Sequence, residues 1–170
     1  MNLRLANMDD LLQLKEVYKK IIRNMNEQGI EIWDEIYPCE IFPEDIEKNR
    51  LYILLKEKEI VAAFALNDSN PAENYVKWEN SKGKAIYIER LGVNVNYLQQ
   101  GIGSAAVGEI IALARELGAE YVRLFVVDIN VPAIKFYEKN GFRQVAGSYE
   151  EKIDDDFVLH EYGFEIKISR

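Results

Sequence analysis

One cysteine and one histidine in 170 residues remove several kinds of chemistry at the outset. Cys39 alone closes no internal disulfide, so the fold has to stand on its own core. His160 is the sole imidazole, and Cys39 beside Pro38 has no activating partner evident in the sequence. A Ser–His or Cys–His nucleophile system is therefore not expected. No His, Cys, Asp and Glu cluster has metal-ligand spacing, so no metal is expected either. Positive charge is also short: 21 Lys and Arg stand against 29 Asp and Glu, a net charge of −8. Nucleic-acid binding is built on clustered Lys and Arg, so that partner is disfavoured. The acidic balance is compatible with a cationic small substrate, but a surface that keeps molecules apart is its leading explanation. No apolar run approaches the roughly 20 residues of a membrane span, so no membrane partner is expected. The opening MNLRLANMDD lacks the basic-then-apolar layout of a signal peptide. A reducing cytoplasm is the expected compartment. Repeats, low-complexity tracts and linkers are missing too, which points to a single domain over residues 1–170.

What is present is regular. LRLA at Leu3–Ala6 alternates like a short strand, and Asn7 is placed to cap a helix after it. Leu11, Leu14, Tyr18, Ile21, Ile22 and Met25 recur at helical spacing until Gly29. Pro43 opens a second, short helix that ends near Arg50. LYILLKEKEIVAAFALN predicts two strands around a charged turn, and AIYIERLGVNV a central strand. An apolar helix is expected from Gln100 to about Leu117, then the strand AEYVRLFVV. Asn130 caps a short helix with Pro132 in its first turn and Gly141 at its stop. FRQVAGSYE and DFVLHEYGFEIKI close the chain as strands, with KIDDD read as the turn between them. The order predicts an α/β (α+β) fold with one mixed sheet.

Within NYLQQGIGSAA, Gly101 and Gly103 stand just where the buried helix begins. Glycine inside a helix costs about 1 kcal/mol against alanine. Two readings account for the pair. Either it brings helix and strand close together, or it clears β-carbons from the helix N-terminus so that an anion can meet the amides of Gly101, Ile102, Gly103 and Ser104. GIGSAA also fits a dinucleotide fingerprint, but NVNYLQQ separates it from its strand and it lies past mid-chain.

RLGVNVNYLQQGIGSAAV followed by RLFVVDINVPAIKFYEKNGF resembles the two signature segments of the GNAT superfamily of acyl-CoA-dependent N-acetyltransferases. The second segment matches closely, at Asn130, Ala133, Phe136, Tyr137, Gly141 and Phe142. EIWDEIYP resembles an aromatic segment in a branch of small bacterial members. The resemblance implies a GNAT-like fold, with a mixed sheet of about six to seven strands and about four helices. It implies acetyl-CoA as co-substrate and acetyl transfer to a primary amine of a small molecule by direct attack. Cofactor contacts then fall on Leu91, Gly92 and Val93 of the central strand, on Leu98, Gln99, Gln100, Gly101, Ile102, Gly103 and Ser104, and on Asn130, Ala133 and Tyr137. Leu98 departs from the usual Arg or Gln of the family, so the diphosphate would lean on main-chain amides, Gln99 and Gln100.

Tyr137, about two helical turns after Asn130, takes by resemblance the role of general acid toward the leaving sulfur. Glu89, on the central strand, is the candidate base, with an ion pair to Arg90 or a lysine as the other reading. Gly92 marks a bulge or a close backbone approach. Trp33 and Tyr37 bracket Asp34 and Glu35 and form either a lip for the amine or a clasp over the core. A homodimer, if one forms, is expected through the closing strands. The reading from another class is a CoA-binding sensor that performs no transfer.

Overall fold

The structure, a computed structural model, describes residues 1–169. The helices are α1 (Leu11–Glu27), α2 (Phe42–Glu47), α3 (Ile102–Glu116) and α4 (Val131–Lys139). The strands are β1 (Asn2–Leu5), β2 (Leu51–Lys56), β3 (Glu59–Asn67), β4 (Val76–Lys77), β5 (Ala85–Val93), β6 (Tyr121–Val127), β7 (Arg143–Gln144), β8 (Ala146–Gly147), β9 (Tyr149–Asp154) and β10 (Phe157–Lys167). Hydrogen bonds order the main mixed sheet β1-β2-β3-β5-β6-β10-β7, with β9 on β10. The expected order of elements is present, and β4 and β8 add a small separate pair. FRQVAGSYE, read as one strand, is broken into three pieces: β7, β8 and the start of β9. Gly147 at φ +94 turns the backbone where a side chain would meet Tyr75 O at 2.9 Å.

The chain groups into two compact units. The first comprises Met1–Leu66 and Ile88–Glu109, the second Asn67–Tyr87 and the chain from Ile110 onward.

In the first unit β1, β2 and β3 pair antiparallel in sequence. Asn7 and Asp10 form a capping box before α1, with the Asn7 amide donating to Asp10 Oδ2 at 2.8 Å. The expected apolar stripe then buries Leu14, Val17, Tyr18 and Ile21. These pack with Phe42 and Ile46 of α2 and with Leu51, Ile53, Ile60 and Ala63. On another cluster Ile102 and Ala106 of α3 meet Leu54, Val61 and Ala62. β3 is buried along almost its whole length, which is why its sequence is a continuous apolar run.

In the second unit β5 runs parallel to β6 from Ala85 and Tyr121, and β10 runs antiparallel to β6 from Glu161 to Lys167. Trp78, Tyr87, Tyr121 and Val145 form its aromatic core. Glycines at φ +77 and +92, Gly118 and Gly141, end α3 and α4 as the sequence predicts.

Candidate active site

Residues 98–104 turn from a 3-10 segment, Val95–Tyr97, into α3. Gln99 at φ +60 and Gly101 at φ +76 both take left-handed backbone. Glycine adopts this freely and glutamine does not, so Gln99 carries the strain of the turn. A Cβ on Gly101 would meet nothing within 4 Å, so its backbone angle, not crowding, calls for glycine there. The first helical bond runs from the Ala105 amide to Gly101 O at 3.0 Å. The amides of Ile102, Gly103 and Ser104 precede it and have no acceptor inside the helix. Leu98, Gln99, Gln100, Gly101 and Ser104 are exposed, Gly103 is half-buried, and Ile102 is buried as the anchor of the turn. Such a donor set, at the positive end of a long helix, fits the diphosphate of a CoA thioester. Leu98, 46% exposed, adds apolar surface and no charge to it.

Leu91 and Val93 are half-buried and pack on the cluster around Ile102 and Ala106. Gly92 faces α1. A Cβ there would meet Ile21 Cδ1 at 2.8 Å and Tyr18 Cζ at 2.9 Å. Close approach, not a bulge, is thus the reason for this glycine. The left-handed residue of β5 is Arg90, at φ +56. The Tyr18 hydroxyl lies 2.5 Å from Arg90 O and 3.1 Å from Ala63 O, so one proton serves two main-chain carbonyls.

Glu89 is half-buried, and its Oε2 lies 3.2 Å from Arg90 Nη1. The ion-pair reading of Glu89 is therefore realised. The Arg90 guanidinium also donates to Asp45, with Nε to Oδ2 at 2.9 Å and Nη2 to Oδ1 at 2.8 Å. Burial works against its charge, but Tyr37, Asp45 and Glu89 outweigh that and hold its pKa above the ordinary value. Tyr37 OH lies 3.4 Å from Arg90 Nη1. The residue is 39% exposed, yet burial of its phenol end raises its pKa, with Arg90 pulling the other way. Asp34 sets the loop by accepting the Ile36 and Tyr37 amides, each at 2.8 Å. Those two bonds hold its carboxyl below the usual range. Trp33 packs toward the core, its ring 5.7 Å from that of Tyr18. Trp33 thus answers the description of a clasp, while Tyr37 stands further out.

In the second unit Asn130 caps α4, its Oδ1 accepting the Ala133 amide at 3.3 Å. Tyr137 is buried, 8% exposed, with its ring edge-on to Phe136 at 5.1 Å and to Phe142 at 5.5 Å. Burial alone pushes its phenol well above the ordinary value. Burial likewise pushes the Cys39 thiol up, which does not favour a thiolate nucleophile.

Asp45 and Tyr18, which hold Arg90 at its guanidinium and its carbonyl, were not singled out by sequence reasoning. Asp45 reads as an ordinary first-turn acid of α2, and Tyr18 as one more residue of an apolar stripe. Only the ER pair in AIYIERLGV hinted at Arg90.

The model of the acetyltransferase (GNAT) family matches residues 14–142. The chain belongs to that family. The GNAT match takes in most of α1, the glycine turn and the whole of α4. The chain is 34% identical over 67 residues to a thialysine N-epsilon-acetyltransferase of Bos taurus, covering 39% of each chain. It thus spans about two fifths of the length of the mammalian relatives it matches. To the uncharacterised N-acetyltransferase YvbK of Bacillus subtilis (strain 168) it is 24% identical over 148 residues, covering 82% of this chain and 84% of that one. Among solved structures, Arabidopsis thaliana NAA60 in complex with acetyl-CoA superposes with a TM-score of 0.70 at 21% identity, over 98% of both chains. That likeness is one of fold, shared by the sheet and helices of the GNAT chain.

Proposed function

We propose that the chain, as a single domain over residues 1–170, transfers an acetyl group from acetyl-CoA to a primary amine of a small molecule by direct attack. The observation that carries this reading is the turn into α3. Its left-handed Gln99 and Gly101 lead into three amides with no helical acceptor, within the matched family segment. Those amides, with the Ser104 hydroxyl, would hold the diphosphate, and Leu91, Gly92 and Val93 would offer main-chain groups to the pantetheine arm. Bound acetyl-CoA supplies an activated acyl group as a thioester. The chain's residues then move two protons. Glu89 takes one from the ammonium, whose pKa in water is near that of lysine, about 10.4. The amine nitrogen then bonds the acetyl carbon as the carbon–sulfur bond breaks; Tyr137 would give its proton to the departing sulfur and regain one from the nitrogen, leaving the amide and a free thiol. Asn130 serves the cofactor arm as well as α4, and Ala133 leaves room for it. Tyr37 forms the outer wall for the amine, with Trp33 behind it.

The acidic balance of the sequence is compatible with a cationic acceptor. We place the enzyme in the cytoplasm, with a homodimer through the closing strands as its assembly and no metal requirement. A second reading, a CoA-binding sensor without transfer, draws on Leu98, which brings no charge or hydrogen bond to the diphosphate.

The deciding experiment measures CoA thiol release across a panel of polyamines, amino acids, aminoglycosides and N-terminal peptides, with products identified by mass spectrometry. Turnover on at least one small amine supports the enzyme. Acetyl-CoA binding with no turnover on any amine supports the sensor. Absence of both removes the cofactor site.

A further inference from the structure

Asp45 holds two guanidinium groups on one fully buried carboxylate. Arg50 Nε lies 2.6 Å from Oδ1, and Arg90 engages both oxygens side-on at 2.8 and 2.9 Å. Their further contacts differ. Arg50 reaches Glu44, at 3.7 Å on the exposed side of α2. Arg90 reaches Glu89 at 3.2 Å and Tyr37 OH at 3.4 Å. It does so from left-handed backbone, φ +56, which is uncommon for a residue other than glycine. Arg90 is held at both ends, with Tyr18 on its carbonyl and Asp45 on its guanidinium. The Arg90 side chain is 6% exposed, so solvent does little to screen the arrangement.

We propose that Asp45 and Arg90 are positioning residues for the acceptor amine: Asp45, on α2, fixes the Arg90 guanidinium, and that guanidinium fixes the Glu89 carboxylate and the Tyr37 hydroxyl. This rests on the reading of Glu89 as proton acceptor and Tyr37 as the amine-side wall. Neither Asp45 nor Arg90 needs to touch substrate. The planar fork of arginine is what allows one side chain to meet a bidentate carboxylate, a second carboxylate and a phenol together. Lysine keeps the charge and loses that geometry.

The test compares Arg90→Lys with Arg50→Gln, since both weaken the grip on the same buried carboxylate. For Arg90→Lys, kcat/KM for the amine is expected to fall on the order of tenfold or more, as small misplacements of reacting groups do. The KM for acetyl-CoA should stay unchanged. Arg50→Gln should lower the melting temperature and leave the amine kinetics alone. If Arg50→Gln lowers the amine kcat/KM as far as Arg90→Lys does, or if Arg90→Lys leaves it unchanged, the proposal is overturned. Hydrogen exchange at the Ile36 and Tyr37 amides gives a readout that needs no turnover. Protection should drop in Arg90→Lys and hold in Arg50→Gln. If the wild type acetylates no amine, the enzymatic reading has failed, and the exchange comparison alone decides the positioning. Equal protection in wild type and Arg90→Lys then overturns it.

Discussion

Each of the two compact units buries an arginine–carboxylate pair, and the pairs differ in kind. In the second unit Arg123 Nε meets Glu165 Oε2 at 3.1 Å, with side chains 3% and 1% exposed. The two residues stand directly opposite each other in the β6–β10 ladder. That guanidinium also meets Asn80 O at 2.8 Å and the rings of Trp78 and Tyr121 at 4.5 and 4.8 Å. Glu165 accepts the Glu79 amide at 2.8 Å, and its Oε1 also lies 3.7 Å from the exposed Arg143. In the first unit Arg90 sits on left-handed backbone, and its spare donors turn to a half-buried carboxylate and a part-exposed phenol. Arg123 thus turns to backbone and aromatic rings, and Arg90 to a carboxylate and a phenol that reach toward solvent. Burial of a charge pair says little by itself about role; the remaining valences of the arginine decide it.

The comparison breaks first at the second-unit pair. Glu165→Ala leaves the Arg123 charge buried without its partner, a loss of about 3–5 kcal/mol. Denaturant unfolding should read that loss, and residual native protein should keep its amine kinetics. A change in KM for the amine would mean that the second-unit pair is not purely structural. Tyr18→Phe is next. It strips the shared proton from Arg90 O and Ala63 O, which should lower stability by about 1–3 kcal/mol. Unlike Glu165→Ala, it should also lower kcat/KM for the amine, because Arg90 is held at its carbonyl as well as at its side chain. Asn130→Ala removes the α4 cap and should cost about 1 kcal/mol by melting temperature. A larger rise in KM for acetyl-CoA than this modest destabilisation explains would mark a second use of the amide.

The smallest effect is in pH dependence. Burial, with Glu151 beside it, pushes the Glu161 carboxyl up to about 7. The folded state therefore binds this proton more tightly than the unfolded chain does. Its contribution to stability is full below the ordinary carboxylate range and is lost as pH rises through about 7. Glu161→Gln should flatten the fall in melting temperature between acid and neutral pH. An unaltered slope would show that other groups carry it.

Much of the fold was legible because its signals are local. Asn7, Pro43, Asn130, Gly29, Gly118 and Gly141 punctuate the elements as read, and the stripe of α1 and the apolar run of β3 follow from spacing alone. The closing region was misjudged, because the register breaks around β7 and β8 depend on partners remote in sequence. The glycine turn was legible for the same local reason as the caps: left-handed backbone and a helix start are properties of a few consecutive residues. The reason for Gly92 was not, since the atoms it makes room for belong to Tyr18 and Ile21 on α1.

The sequence by itself determined the order of elements, the place of the glycine turn before α3 and the family, all of which reside in runs of neighbouring residues. Only tertiary structure decided that Asp45 and Arg90, far apart along the chain, share one buried carboxylate–guanidinium contact at 2.8 Å. The physical reason is that a charge pair out of water depends on the dielectric and on every remaining donor around it, and those come from elements that meet only when the chain folds.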